Sequence, residues 1–186
     1  PAWSPDGSRI AFSSNSQGQQ NIWIRSVEKI GEAVPLTNGK FKDAYPIWSP
    51  DGQRLAFLSD RAGKNAVWLV SSLGGRPEML LETEAANVML IGWSKDQQRI
   101  YVEIDPNLFV LDIASRKLIQ RTFFEANPSA PRDFSVSSKE DVLAYSGMID
   151  QRRCILTSLM GERQPAPQPV TQGEGGDDKS PRWLPD

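Results

Sequence analysis

The sequence predicts an all-β protein of the β-propeller class, with about four four-stranded blades, and three observations support this prediction. A segment of the Trp-Ser-Pro-Asp-Gly type recurs along the chain, and a second aromatic residue follows each copy at a similar distance. No part of the 186 residues shows a sustained helical period, whereas short β-branched and aromatic runs alternate with turn residues. A unit of about 40–45 residues that holds four strands is typical of one propeller blade.

Five copies of the recurring segment can be aligned, the last one incomplete. They cover residues 1–12, 46–57, 91–102, 134–145 and 181–186. The first three copies lie 45 residues apart, as Trp3, Trp48 and Trp93 show. The fourth, aligned at Phe134, follows after 41 residues, and the fifth, aligned at Trp183, follows after 49.

The second aromatic position lies 16 to 21 residues after the first. It is occupied by Trp23, Trp68, Phe109 and, in the fourth copy, Ile155. All six tryptophans of the chain occupy one of these two positions. We therefore expect the indole rings to be buried in the seams between successive blades, because one sheet cannot bury both of its faces alone.

The repeat predicts one propeller domain or segment over residues 1–186. The expected blades are residues 1–44, 45–89, 90–131 and 132–180, with the start of a fifth repeat at 181–186. The pattern opens and stops inside a repeat, so we expect a piece of a longer protein.

Composition excludes several kinds of site. The chain has 21 Lys and Arg against 23 Asp and Glu, a net charge of −2, which disfavours a nucleic-acid binder. It has no histidine, so it carries no Ser-His-Asp or Cys-His catalytic unit and no imidazole ligand for zinc. The single cysteine excludes an internal disulfide.

Two acidic patterns could form cation sites. An aspartate recurs in every repeat, at Asp6, Asp51, Asp96, Asp141 and Asp186; it lies three residues after the aligned tryptophan, except in the fourth copy, where Asp141 lies seven residues after Phe134. We expect each to accept hydrogen bonds from its own strand-to-strand turn rather than to join a ring of carboxylates. Residues 173–178 are glycine-rich and acidic, and Asp177 with Asp178 could contact Ca²⁺, but a solvated loop is favoured.

The remaining candidate sites also have plainer interpretations. Ser26 and Lys29 have a Ser-x-x-Lys spacing but lie in a polar turn, and Arg152-Arg153 is too short for a basic patch. Cys154 is expected in the core. We interpret residues 165–169 as a stiff connector rather than as a ligand for a partner protein. We expect Trp23 and Trp68 to be core residues rather than a platform on which a ligand stacks. No catalytic, cofactor-binding or metal-binding residue is predicted.

The repeat resembles a known family. The segments that carry the resemblance are residues 48–57, Ser59-Asp60-Arg61, Val67-Trp68 and Gly74-Gly75. They resemble the bacterial WD-repeat-like, TolB-type propeller repeat, which is found in TolB, in propeller domains of prolyl oligopeptidases and in sensor regions of bacterial kinases and transcription regulators. The resemblance implies a ring of six to eight blades, so the chain is expected to be a segment of such a ring or an unusually small one.

Three functions remain open. The resemblance favours a non-catalytic protein-interaction or ligand-sensing module, with a protein or peptide partner, no nucleic acid, no direct membrane insertion, no cofactor and a periplasmic or other extracytoplasmic location. A second hypothesis is the gating propeller of a prolyl-oligopeptidase-like hydrolase whose catalytic domain lies outside this chain. A third, a lyase or cyclase in the propeller channel, is disfavoured by the lack of histidine. Binding residues are expected in loops 15–20, 62–65 or 173–179.

Overall fold

The computed structural model describes residues 1–16, 18–28, 31–127, 129–137, 139, 142–160, 167–171 and 178–183. All regular structure in these ranges is β-strand. The strands are β1 (Ala2–Trp3), β2 (Arg9–Ser14), β3 (Asn21–Ser26), β4 (Val34–Pro35), β5 (Ala44–Trp48), β6 (Arg54–Ser59), β7 (Ala66–Ser71), β8 (Glu78–Glu82), β9 (Val88–Trp93), β10 (Arg99–Ile104), β11 (Asn107–Asp112), β12 (Leu118–Gln120), β13 (Arg132–Val136), β14 (Val142–Ile149), β15 (Arg152–Leu159) and β16 (Gln168–Pro169).

The strands form four antiparallel four-stranded sheets, each in simple chain order. Blades 1 to 4 are β1–β4, β5–β8, β9–β12 and β13–β16. Successive blades contact each other mainly through their first strands, since β1 contacts β5, β5 contacts β9 and β9 contacts β13. The predicted all-β propeller architecture is therefore confirmed, and no helix able to span a bilayer occurs among the described residues.

Apolar side chains fill the seams between the blades. One cluster joins blades 1 and 2 around Ile22, Trp48 and Phe57. A second joins blades 2 and 3 around Val67 and Ile100, and a third joins blades 3 and 4. The sheets are thus buried by their neighbours in the ring rather than by any covering helix, as expected for a repeat that cannot bury its faces alone.

An arginine at the start of the second strand ties blade 1 to blade 2 and blade 2 to blade 3. The Arg9 guanidinium lies 4.6 Å from the ring centre of Trp48 and donates to the Gly52 carbonyl at 3.2 Å. Arg54 repeats both contacts one blade further on, with the ring of Trp93 at 5.1 Å and the carbonyl of Gln97 at 3.4 Å. Guanidinium–indole stacking orients the flat faces of the two groups against each other and adds to the apolar contact in the seam.

The three repeated aspartates that the structure describes, Asp6, Asp51 and Asp96, act within their own turns, as predicted. The hydroxyls of Ser4 and Ser49 donate to Asp6 and Asp51 at 2.6 Å in both cases. The backbone N–H two residues after each aspartate also donates to it, at 3.0 Å. The Ser4 hydroxyl, followed by the Ser8 N–H, lowers the pKa of Asp6 to about 2. Asp96 has the same contacts in blade 3, so these carboxylates stabilise turns.

A threonine fastens the outermost strand in three blades. The hydroxyl oxygens of Thr37, Thr122 and Thr171 accept the N–H groups of Ile22, Leu108 and Ile155 at 2.8–3.0 Å. These outer strands are only two or three residues long. Each hydroxyl therefore supplies a hydrogen bond that so short a strand cannot supply from its backbone.

The structure corrects the alignment of the fourth repeat by two residues. Val136 pairs with Leu143 as Trp3 pairs with Ile10, so Val136 and not Phe134 is the equivalent of the first tryptophan. The pairing of β13 with β14 is irregular between Arg132 and Ser135, as the pairing of β5 with β6 is at the equivalent residues Ala44 and Ile47, so blades 2 and 4 share this irregularity.

The second aromatic position in the fourth repeat shifts by one residue. Leu156 pairs with Tyr145 as Trp23 pairs with Phe12, so Leu156 and not Ile155 fills it. The spacing of 20 residues between the two positions is thereby restored in blade 4, from Val136 to Leu156. Phe134 instead stacks on Phe124 and Tyr145 in the seam between blades 3 and 4.

The expectation that all indoles are buried in seams is wrong for two of the six. Trp23 and Trp48 are each 8% exposed and Trp68 is partly buried, whereas Trp3 is 60% and Trp183 is 39% exposed. Trp48 is covered because blade 1 lies against it, and nothing among the described residues covers Trp3 to that extent.

Trp183 nevertheless makes the contact expected of a first-strand tryptophan in a fifth blade. Its Nε1 donates to the carbonyl of Ser135 at 3.0 Å. Trp48 makes the equivalent bond to the carbonyl of Ala2 at 3.1 Å. In the corrected alignment Ser135 is the counterpart of Ala2, so the fifth repeat starts to pack on blade 4 as blade 2 packs on blade 1.

Candidate functional site

The clearest concave surface lies at the ends of the blades opposite the Ser-Pro-Asp-Gly turns. Two adjoining clefts of about 540 and 410 Å³ open there and share four residues. We call them together the carboxylate cleft; the shared residues are Asn87, Met89, Glu103 and Asp105. The larger part reaches Gln20 of blade 1 and the smaller reaches Arg132 of blade 4, so the cleft crosses all four blades.

Glu103 is the most unusual side chain in the carboxylate cleft. It lies near the end of β10, is only 8% exposed, and points toward blade 4, as does Tyr101 two residues earlier. The Phe134 N–H donates to its carboxylate, whereas Oε2 is buried and has no hydrogen-bond partner among the described residues. Burial, more than any other cause, raises the pKa of Glu103 to about 7; the Phe134 N–H and Arg132 oppose this rise, and the charge of Asp133 adds to it.

The position of Glu103 within the repeat makes a carboxylate costly there. Its equivalent in blade 2 is Leu58, which is also 8% exposed and belongs to the apolar cluster between blades 2 and 3. A leucine at this position contributes to the apolar packing between the blades, whereas an ionised carboxylate must lose most of its hydration there. Buried groups with strongly shifted pKa values concentrate at functional sites, and this marks Glu103 as a candidate.

Other charged groups line the carboxylate cleft. Asp60 and Lys42 lie on the side of blade 2, Asp105 on blade 3, and Arg132 with Asp133 on blade 4. With Glu103 these are four carboxylates against two cations. Asp60 accepts the backbone N–H of Lys42 at 2.8 Å, and Asp133 accepts the Ser146 hydroxyl at 3.1 Å. The cleft is therefore acidic, and at least two of its carboxylates are held in place by the fold.

The rim of the cleft combines apolar surface with strained backbone. Tyr45 is 58% and Met89 is 45% exposed, so both present apolar atoms to the cleft. Tyr45 and Asp133 have φ of 53° and 59°, at equivalent positions of β5 and β13 beside irregular pairing. Asp105, in the β10–β11 turn, has φ of 52°. Such conformations cost residues other than glycine about 1–3 kcal/mol and occur often at binding sites.

A second cleft, of about 480 Å³, lies at the other ends of blades 1 and 2. It contains Arg9 and Glu32 together with apolar residues such as Val34 and Leu73. Arg9 is already engaged with Trp48 and Gly52. This cleft therefore has less polar chemistry to offer than the carboxylate cleft.

The repeats and the fold agree with a known family. Residues 1–88 match the family model of the TolB beta propeller domain. The predicted resemblance to the TolB-type repeat is thereby confirmed. No curated protein matches the sequence significantly.

Solved structures extend the TolB-like fold beyond the matched residues. TolB from Acinetobacter baumannii superposes with a TM-score of 0.72 at 16% identity, over 92% of this chain and 42% of its own. A putative TolB from Agrobacterium tumefaciens gives 0.74 at 20% identity, over 95% of this chain and 62% of its own. A puromycin-hydrolyzing peptidase from Mycobacterium tuberculosis superposes with a TM-score of 0.64 at 17% identity, over 94% of this chain and 29% of its own. This TolB-like chain therefore shares their fold and spans less than two thirds of the length of each.

Most candidates from the sequence do not come together in the TolB-like propeller. Cys154 is 3% exposed in the core of the seam between blades 3 and 4. Arg152 is exposed and Arg153 is buried, so adjacent arginines on β15 point to opposite sides and form no patch. Ser26 lines the second cleft, and Lys29 lies outside the described residues. Trp68 packs against the cluster between blades 1 and 2. Trp23 is 8% exposed, and it is its neighbours Ile22 and Ile24 that belong to that cluster.

Several acidic and proline-rich candidates lie partly outside the described residues. These are Asp141, Asp186, residues 173–177, and Pro165 with Ala166. Of the neighbouring residues, Asp178 donates its N–H to the Arg153 carbonyl at 3.0 Å, and Gln168-Pro169 forms β16. No group of three or more His, Cys, Asp or Glu that could hold a metal ion occurs in the part of the chain that the structure describes.

Sequence reasoning missed Glu103, although a signal was present. The aligned third copy ends at Val102, one residue before it. Continuing the alignment by one residue places Glu103 opposite Leu58, a charged residue at a core position of a TolB-type repeat. Of the three loops expected to bind, loop 15–20 reaches the carboxylate cleft through Gln20 and loop 62–65 reaches it through Asn65, whereas most of loop 173–179 lies outside the described residues.

Proposed function

We propose that this chain is part of a non-catalytic β-propeller that binds a protein or peptide partner, or senses a ligand, through the carboxylate cleft. The observation that supports this best is the cleft itself. It crosses four blades on one face and combines exposed apolar side chains with a buried carboxylate, that of Glu103, whose Oε2 has no hydrogen-bond partner among the described residues. Rigid strands that present a concave surface of apolar and polar groups are typical of binding sites.

We further propose that residues 1–186 form one continuous stretch of a larger ring, divided into blades as the repeat predicts. Trp183 supports this, because its bond to Ser135 begins the packing of a fifth blade. By analogy with TolB, we place the protein in the periplasm or another extracytoplasmic compartment. Nucleic acid is a poor partner for an acidic cleft on a chain of net charge −2.

Selection of peptides from a phage-displayed random library would test the binding function. We expect enriched peptides whose affinity falls at least tenfold in Met89→Ala, because Met89 presents exposed apolar surface in the centre of the cleft. Leu73→Ala is the matched control, since Leu73 is 92% exposed at the opposite ends of the blades. If Leu73→Ala weakens binding and Met89→Ala does not, the carboxylate cleft is the wrong site.

A second candidate function is the propeller of a peptidase whose catalytic domain lies outside this chain. The likeness to the puromycin-hydrolyzing peptidase favours it. In that case the complete gene should encode a Gly-x-Ser-x-Gly nucleophile elbow on an α/β domain after the propeller. In both cases the chain by itself should not hydrolyse peptide substrates. Hydrolysis that survives repurification would contradict both.

A further inference from the structure

The carboxylate cleft has a chemical preference that its lining residues define. We propose that it binds a cationic side chain of a partner peptide, an arginine or lysine, and that Glu103 is the counter-ion. This inference rests on the proposed function and adds the class of ligand to it.

The first step is the unsatisfied oxygen of Glu103. One part of the carboxylate accepts the Phe134 N–H, while Oε2 is buried in the wall shared by both parts of the cleft and has no partner there. A buried polar atom without a partner is rare in folded proteins, because the lost hydration is not replaced. A donor that enters the cleft would supply the missing hydrogen bond.

The second step is the sign of the surrounding charge. The groups around Glu103 are Asp105 on its own blade, Asp133 and Arg132 on blade 4, and Asp60 with Lys42 across the cleft. Including Glu103, the cleft carries a formal charge of −2, from four carboxylates and two cations. A cationic donor is therefore favoured over a neutral one, and an anion is disfavoured.

The third step is the kind of cation. A divalent metal needs several oxygen ligands that converge on one point. Among the described residues no such group of carboxylates occurs, so the acidic groups are spread along the cleft. Dispersed carboxylates beside exposed Tyr45 and Met89 suit an arginine or lysine, whose apolar stem and charged end require both kinds of surface.

A matched pair of peptides tests the charge requirement. The probes are a hexapeptide with three alternating arginines and the same peptide with citrulline, which has nearly the same shape and no charge. We expect the arginine peptide to bind at least tenfold more tightly and to shift the amide resonance of Phe134, which donates to Glu103. Equal affinity of the two peptides would overturn the proposal.

Two variants with the same change of charge locate the counter-ion. Glu103→Gln should reduce the affinity for the arginine peptide at least tenfold and leave citrulline binding unchanged. Glu28→Gln, at the opposite ends of the blades, should change neither. If Glu103→Gln does not fold, Asp133→Asn serves as a second variant, and the side-chain carbon resonance of Glu103 in the wild type serves as an independent readout. Bound arginine peptide should lower the midpoint of its pH titration by at least one unit.

The outcomes separate this inference from the proposed function. Library peptides that bind at the cleft with no preference for arginine or lysine would leave the binding function standing and refute the cationic ligand. An unchanged Glu103 titration with bound arginine peptide would also refute it. The absence of any cleft-binding library peptide would refute the binding function.

Discussion

Glu103 should give the stability of this protein an unusual dependence on pH. Its pKa is about 7 in the folded chain and 4.5 when solvated, so the folded state holds the proton more tightly. The stabilising contribution of the protonated Glu103 to the free energy of unfolding is therefore complete below about pH 4.5 and is lost as the pH rises through 7. The difference is on the order of 3 kcal/mol.

Glu103→Gln measures this contribution, because glutamine does not ionise. Urea unfolding of both proteins between pH 4 and 8 should show the wild type losing stability relative to the variant across that range. The turn aspartates do not interfere. The pKa values of Asp6, Asp51 and Asp96 are lowered by hydrogen bonds, so their stabilisation is lost only as the pH falls below about 4. A constant difference between the two proteins would contradict the burial of an ionisable Glu103.

Arg61 differs from Glu103 in that its buried charge is part of an ion pair. It pairs with the fully buried Asp43 at 2.5 Å and lies 5.1–5.5 Å from the rings of Phe41, Phe57 and Trp68. Arg61→Leu should destabilise the chain by about 3–5 kcal/mol, because Asp43 is left buried without its cation. The free energy of urea unfolding provides the measurement.

The exposed pair of Arg116 and Glu78 is the matched control for Arg61. Both of its side chains are more than half exposed. Arg116→Leu should change the free energy of unfolding by less than about 1 kcal/mol, since water screens the pair. Similar losses in the two variants would mean that burial does not decide the strength of these ion pairs.

At the scale of the blade, the arginine at the start of the second strand is a repeated connection between neighbours. Arg9→Lys keeps the charge but loses the planar group that stacks on Trp48 and reaches the Gly52 carbonyl. We expect a loss of about 1–2 kcal/mol in the free energy of unfolding, the sum of one cation–π contact and one hydrogen bond. Arg25→Lys, on the exposed part of β3, should have almost no effect, and equal losses would contradict the role of Arg9.

The elements also show how far the sequence determines the structure. The repeats predicted four four-stranded sheets and the role of the turn aspartates, because both depend on short-range turn chemistry that Ser4, Asp6 and Gly7 carry in the sequence. The alignment of blade 4 by its aromatic residue is wrong by two residues, because Val136 replaces the tryptophan and the aromatic Phe134 lies two residues before it. The pairing of β13 with the next strand, β14, shows the register there.

The carboxylate cleft was less predictable than the blades for a related reason. It forms where turns from several blades meet, so its members are far apart in sequence, as Asp60, Glu103 and Asp133 are. Each of them looks like an ordinary solvated acid in its own segment. Only the alignment of Glu103 with Leu58 indicates an unusual residue, because equivalent positions of the repeat face a neighbouring blade and are expected to be apolar.

At the scale of the whole molecule, the contribution of a side chain to stability depends on whether a neighbouring blade covers it. Trp3 and Trp48 occupy the same repeat position, yet Trp3 is 60% and Trp48 is 8% exposed. Trp48→Ala should cost about 3–5 kcal/mol, because a large buried side chain is removed. Trp3→Ala should change stability by only about 0.5 kcal/mol in this chain, since mostly exposed side chains contribute little.

Urea unfolding of the two tryptophan variants at several protein concentrations provides the decisive comparison. If neighbouring blades decide the stability, the large loss occurs only in Trp48→Ala and is independent of concentration. Equal losses that grow with protein concentration would mean that the Trp3 face is covered by a second copy of the chain. Equal losses independent of concentration would contradict the seam packing itself, because identical positions would then contribute equally with and without a neighbouring blade.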